Sequence, residues 1–381
     1  MKKIPFLFLL ILIISCGDNS INKGVIDVKI TPETKVVELA DLFENWEVLG
    51  FDGVDPSLSA YRFISKKEDW IYFLSTDRRK VFRIDKSGMR KIVLDFYGEG
   101  PGEYQEIWDI KDIPLTEDFL VLDRKSRKLI RYAANGSLKD EFVIDKKFVS
   151  SLLSFEMIDE NQAVFQTSGS DEFKFLVLNL KEQSWDFRIP ANPDFKDFGF
   201  GNDKSMSFSS NRISLIYPLS NQIERYNQSL ENLDTVFLDF GSYNISNQDI
   251  EVVDNDQSKM FELIQNDEQK RAHSFLLDET ENYYVLSYYL GSFMKGDFIK
   301  TIIQKEKGTS ISYRDVAMAG VVINARIVGS MKDDFLLMML DSEYLERLEK
   351  ADLTKVSSAL GVELSVARDV LISGKIRSDF N

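Results

Sequence analysis

One cysteine and one histidine occur in 381 residues, and their scarcity excludes a good deal. A lone Cys16 cannot form a disulfide within the chain. With His273 as the only imidazole and no G-x-S-x-G elbow, a Ser-His-Asp triad has one candidate base and no nucleophile motif beside it. Placed after an apolar helical pattern, His273 reads as a surface residue complementing a helix C-terminus. Zinc would have to rely on carboxylates. The pairs Asp171-Glu172 and Asp333-Asp334 are candidate calcium ligands, but no D-x-D-x-D-G loop accompanies them. Neither a cofactor nor a metal is therefore expected, and no catalytic residue is assigned.

Long apolar runs are also missing. The longest at the N-terminus, Phe6 to Ile14, follows Lys2 and Lys3 and is too short for a mature membrane span. It fits a secretory signal over residues 1–15. The segment ends Ile13-Ile14-Ser15-Cys16-Gly17, which resembles the lipobox of bacterial lipoproteins, with Ile13 where Leu is usual. That resemblance implies a lipid on Cys16 and a membrane partner reached through it. Residues 17–24 are small and polar, so 16–24 reads as a lipidated flexible tether.

Basic charge is in short supply. Lys and Arg number 47 against 62 Asp and Glu, a net charge of −15. Such a surface repels nucleic acid, which is excluded as a partner. Aromatics are abundant, with 28 Phe, 14 Tyr and 4 Trp, as β-structure and packed sheet faces require.

What is present is a repeat. Shifted by about 48 residues, Leu74, Arg79, Lys80, Arg83 and Gly88 fall on Leu122, Arg127, Lys128, Arg131 and Gly136. Apolar positions match too: Ile71 with Phe119, Phe73 with Val121, Val81 with Leu129, Phe82 with Ile130. Short strands at a period of 40–50 residues point to a β-propeller. A polar turn followed by an apolar run recurs at 69–74, 118–122, 161–165, 211–215, 281–286 and 333–337. The expected fold class is all-β: a six-bladed β-propeller over residues 25–381. Helices are expected near residues 247–271, as an insertion, and at 342–372, as a C-terminal cap. For closure, Val25 to Ile30 and Trp46 to Phe51 are N-terminal candidates to complete the last blade, whereas Lys375 to Asn381 makes a poor final strand.

The loop Gly98-Glu99-Gly100-Pro101-Gly102-Glu103-Tyr104 carries a further resemblance. With the lipobox and the blades, it resembles the six-bladed β-propeller lipoproteins of bacterial envelopes, many of which carry a G-x-G-P-G-E-[YF] loop. The resemblance implies a lipid-anchored protein of the cell envelope, periplasmic or surface-exposed. Gly98, Gly100, Pro101 and Gly102 read as structural, since glycine allows positive φ and proline fixes a turn. Glu103, Tyr104 and Trp108 are candidate ligand residues at the mouth of the propeller, together with Arg62 and Arg79; Arg78 and Arg124 are further polar candidates. The function expected is non-enzymatic binding of a protein, peptide or glycan. The alternative is a hydrolase or lyase that acts on a glycan or peptide through paired carboxylates at the channel.

Overall fold

The computed structural model describes residues 25–26, 35–52, 60–67, 69–149, 152–167, 173–190, 204–253, 256–340, 342–364 and 368–379. The signal segment, Cys16, the whole tether and the Asp171-Glu172 pair lie outside the described residues.

Six sheets share one plan. In each, the second strand is antiparallel to the first, the third to the second and the fourth to the third. The first sheet comprises Ala60–Lys67, Trp70–Ser75, Val81–Asp85 and Arg90–Leu94. The second comprises Asp109–Asp112, Phe119–Asp123, Lys128–Tyr132 and Leu138–Val143. The third comprises Leu152–Met157, Gln162–Thr167, Phe173–Asn179 and Ser184–Pro190. Met206–Ser209, Arg212–Ile216, Gln222–Asn227 and Asn232–Leu238 form the fourth. Ala272–Glu279, Tyr283–Leu290, Asp297–Gln304 and Ser310–Tyr313 form the fifth. The sixth joins both ends of the chain: Ala325–Met331, Phe335–Leu340 and Arg368–Ile376, with Phe43–Asp52 as its outer strand. The first strands of these sheets neighbour one another in sequence order, and the last returns to the first, so they form a closed ring.

The expected count of six is corrected by a seventh sheet. Val36–Glu38 pairs in parallel with Asp315–Met318, which pairs with Val321–Ile323. Its strands are not members of the ring of first strands. Val37, Val316, Met318, Val321 and Ile323 pack in one apolar cluster with Val356 and Leu360 of the helix Lys350–Leu360. That helix ends at Gly361 in the left-handed conformation.

Three further expectations change. The insertion near 247–271 is two short helices, Asn247–Val253 and Gln257–Ile264. Val370 and Leu371, expected in a helix, lie in the third strand of the sixth sheet, and Lys375 and Ile376 complete it. Of the N-terminal candidates, Trp46 to Phe51 joins the sixth sheet, but Val25–Ile26 pairs in parallel with the outer strand of the fourth. Alternation cannot foresee such pairings, because an edge strand offers its hydrogen bonds to any extended segment within reach.

Why these residues form such sheets is visible in the apolar clusters. Tyr72 and Leu74 pack toward the second sheet with Ile110, Phe119 and Val121. Phe73, between them in sequence, packs the other way with Leu337 and Met339 of the sixth. Side chains alternate faces along a strand, and both faces of each sheet are covered by a neighbour. Second strands therefore read as unbroken apolar runs, and each of the six recurring runs of the sequence falls in the second strand of a different sheet.

The repeated glycines have a packing reason. Gly88 and Gly136 sit in the turns between third and fourth strands with φ of +84° and +87°. A Cβ on Gly88 would lie 2.3 Å from the carbonyl oxygen of Gly50, and one on Gly136 would lie 2.3 Å from that of Val93. Gly50 and Val93 are in the outer strands of the preceding sheets, so each turn rests directly on its neighbour's edge.

Candidate functional site

Antiparallel order puts two kinds of segment at one end of the ring: the connections that enter the first strands, and the turns between second and third strands. In the second sheet these are residues 95–108 and 124–127. In the first sheet the corresponding turn is 76–80, and Ile107 N–H donates to the Arg78 carbonyl at 2.8 Å, tying the two sheets together.

The Gly98–Tyr104 loop is built into this end. Gly98 N–H donates to the Tyr104 carbonyl at 2.9 Å, and Tyr104 N–H to that of Phe96 at 3.0 Å. Glu103 N–H closes a turn onto the Gly100 carbonyl, with Pro101 and Gly102 at its centre and Gly102 at φ +69°. The Glu103 carboxylate accepts from Gly100 N–H at 2.8 Å, and Gly98 lies so close that a Cβ there would meet the same oxygen. Lys128 donates to the Gly100 carbonyl at 2.7 Å, and Tyr132 donates to that of Gly102.

Tyr104 is fully buried. Its hydroxyl donates to the Arg79 carbonyl at 2.6 Å and accepts from Phe96 N–H. Burial pushes its pKa far up. Tyr104 thus fastens the loop to the turn of the first sheet rather than presenting a hydroxyl to solvent. Arg79 is exposed, its guanidinium 4.5 Å from the centre of the Tyr97 ring.

Trp108 is half-buried, with its indole N–H donating to the Leu153 carbonyl at 2.7 Å. Two guanidiniums lie over the ring, Arg124 at 4.1 Å and Arg78 at 5.6 Å from its centre. Around it is a cleft of about 270 Å³ lined by Glu106, Trp108, Arg124, Lys125 and Val149. Lys125 reaches Glu106 at 2.8 Å, and Arg124 Nε donates to the Val149 carbonyl.

Arg62 is buried. Its guanidinium donates to Asp109 at 2.6 Å, and Asp109 also accepts from the Phe155 N–H at 3.0 Å. This cluster therefore links the first strands of three successive sheets. Further along the same strands Lys111 and Glu156 meet at 2.5 Å. They are 22 % and 14 % exposed, a pair on the inner ring still touched by solvent. Burial pushes the Glu156 carboxyl up to about 7, against the opposing pull of Lys111. For Lys111, burial acts downward and the charges of Glu156 and Asp109 outweigh it, so its pKa is raised. Asp112, next along, is raised by burial while Lys67, Lys111 and Lys332 oppose the shift.

Sequence reasoning brought Trp108, Arg78 and Arg124 to attention without showing that they meet. It passed over Glu106, Lys125, Asp109, Lys111 and Glu156. The run Asp109-Ile110-Lys111-Asp112 was the available signal, being unusually charged for a strand that continues from Trp108.

Two other candidates look different in three dimensions. His273 lies in the first strand of the fifth sheet, fully buried, and not at a helix end. Its Nε2 faces the Gly291 carbonyl at 2.8 Å and its Nδ1 faces the Ser274 hydroxyl at 3.0 Å. Burial lowers its pKa. Asp333 and Asp334 have φ of +60° and +63° in the hairpin turn of the sixth sheet. Asp334 accepts from the Thr280 hydroxyl and from Asn282, pinning the turn to the fifth sheet. Among the described residues, no group of three or more His, Cys, Asp or Glu is placed to hold a metal. No helix among them is long and apolar enough to cross a membrane.

A family model described as a 6-bladed beta-propeller matches residues 18–319. Among solved structures, the chain is similar to a Bacteroides fragilis protein assigned as exported, at 16 % identity and a TM-score of 0.66, covering 93 % of this chain and 100 % of that one. It is also similar to a duf4221-family member from Bacteroides vulgatus, at 11 % identity and a TM-score of 0.59, covering 89 % and 98 %. At these identities the likeness is one of fold. No curated protein matches the chain.

Proposed function

The chain belongs to that β-propeller family, and from this premise we propose that it is an envelope lipoprotein, anchored through Cys16, whose propeller binds a partner without chemistry. The observation that carries the binding reading is the Trp108 cleft. A half-buried indole, two guanidiniums and an ammonium converge where three connecting segments meet, which is where propeller loops are free to vary and bind. Indole and guanidinium are the groups that most often dominate the binding energy of an interface. Export is supported by the signal-like N-terminus and by the similar Bacteroides fragilis protein. The partner classes are a protein, a peptide or a glycan.

The test is crosslinked affinity capture from intact envelopes, read by mass spectrometry. The native chain is compared with Trp108→Phe, Arg124→Gln and Cys16→Ala. One near-stoichiometric partner, lost from the folded Arg124→Gln chain, supports the reading. Capture that is indifferent to Trp108 and Arg124 removes the cleft from it.

A second reading has its own observation. Glu156 and Asp112 both have raised pKa values on neighbouring first strands. A carboxyl poised near neutrality is what a general acid requires. Turnover of a glycan or peptide library by the native chain, abolished in Glu156→Gln, would put hydrolase or lyase chemistry ahead of binding.

A further inference from the structure

We propose that the Trp108 cleft receives a carboxylate side chain of an acidic peptide, and that the Glu106 carboxylate on Lys125 holds that place until the peptide arrives. The inference rests on the reading of this face as the binding surface.

Three observations lead to it. The first is charge placement. Arg78, Arg79, Arg124 and Lys125 are gathered in two adjacent turns, on a chain whose net charge is −15. An acidic peptide is repelled by most of the surface and attracted to this place, which gives position as well as affinity.

The second is the occupant already present. Glu106 lines the cleft and meets the Lys125 ammonium at 2.8 Å, its hydrogen bond and then its charge holding the lysine's pKa above the ordinary value. Their side chains are 25 % and 59 % exposed. An ion pair in such contact with water is weak, so a second carboxylate can take over the lysine at little cost.

The third is the form of the cleft. Two guanidiniums over one indole leave a sugar ring little π-surface to stack on. Arg124, whose Nε already donates to the Val149 carbonyl, adds positive charge beside the opening, and the Lys125 ammonium is the donor within a carboxylate's reach. The volume of about 270 Å³ suits one side chain rather than an oligosaccharide.

The experiment uses the full chain in detergent micelles and a fluorescent tetraglutamate peptide, followed by anisotropy, with tetraglutamine and trigalacturonate as controls. Tetraglutamate is expected to bind and to weaken with salt. Glu106→Gln frees Lys125 and is expected to tighten binding about fivefold. Arg124→Gln removes one positive charge from the cleft and is expected to weaken it about tenfold. An unchanged or weakened affinity in Glu106→Gln overturns the proposal, since that variant loses no cation and gains a free one. So does equal binding of tetraglutamine, or a preference for trigalacturonate. The two readings fail separately. Inert tetraglutamate with an envelope partner still captured through Arg124 overturns the carboxylate inference alone. Tetraglutamate bound with the Glu106→Gln gain, and no partner captured, supports the inference and overturns the scaffold reading.

Discussion

Gly88 rests on the backbone of Gly50, so closely that a Cβ on Gly88 would stand 2.3 Å from the Gly50 carbonyl oxygen. The two residues belong to neighbouring sheets, the first and the sixth, and Gly50 is in the N-terminal strand that completes the sixth. Gly136 has the same relation to Val93 one sheet further on.

Alanine at either glycine must adopt a left-handed φ and push a neighbouring strand away. Gly88→Ala and Gly136→Ala are each expected to cost roughly 2–4 kcal/mol, from the backbone strain and the overpacking together. Denaturant unfolding of the two variants checks this. A loss under about 0.5 kcal/mol, the range of ordinary surface changes, would show that the sheets separate easily there.

Asp109 is the hub of a buried cluster joining three first strands. Asp109→Ala takes the carboxylate from the buried Arg62 guanidinium and the acceptor from Phe155 N–H. Breaking a buried pair from one side is expected to cost about 3–5 kcal/mol. Thermal melts of Asp109→Ala and of the double variant with Arg62→Met separate the loss of the Asp109 acceptor from the burial of the Arg62 charge, and the double variant should recover part of the loss.

Tyr104 acts through its hydroxyl as well as its ring. Tyr104→Phe keeps the packing and removes the bonds to the Arg79 carbonyl and Phe96 N–H. The expected destabilisation is about 1–2 kcal/mol, with hydrogen exchange rising at Phe96 and Gly98 first.

The Glu156 carboxyl gives the chain a pH signature. Its pKa in the fold is about 7, above the ordinary 4.5, so the folded state binds the extra proton between these values. Its contribution to stability is therefore full below pH 4.5 and is lost as the pH rises to 7 and beyond. In Glu156→Gln the slope of melting temperature against pH is expected to flatten over that window. An unchanged slope would mean that Glu156 titrates as an ordinary carboxylate.

Cys16→Ala is expected to move the protein out of the membrane pellet and to abolish incorporation of an alkyne-labelled fatty acid. Label retained in the variant would place the lipid elsewhere, and no label on the native chain would overturn lipidation.

What the sequence determined by itself is local and repetitive. A strand buried on both faces must be apolar throughout, so the six runs that open on polar turns were legible as strands, and the structure placed each of them second in its sheet. A turn that rests on a neighbour's backbone must be glycine, so Gly88 and Gly136 stood out in the repeat. The Gly98–Tyr104 loop was legible as a turn because Pro101 and Gly102 set its backbone. Tertiary structure decided the remainder. The seventh sheet, the attachment of Val25–Ile26 to the fourth, and the strand at 368–376 depend on which edge lies open to an extended segment, and hydrogen bonding at an edge leaves no pattern in the side chains. The cleft was hidden for a related reason. Arg78, Trp108, Arg124 and Val149 are brought together by stacking three sheets, and Lys111 meets Glu156 at a separation of 45 residues. Charge in an inner strand marks such places in the sequence, but only the closed ring of strands determines which charges face each other.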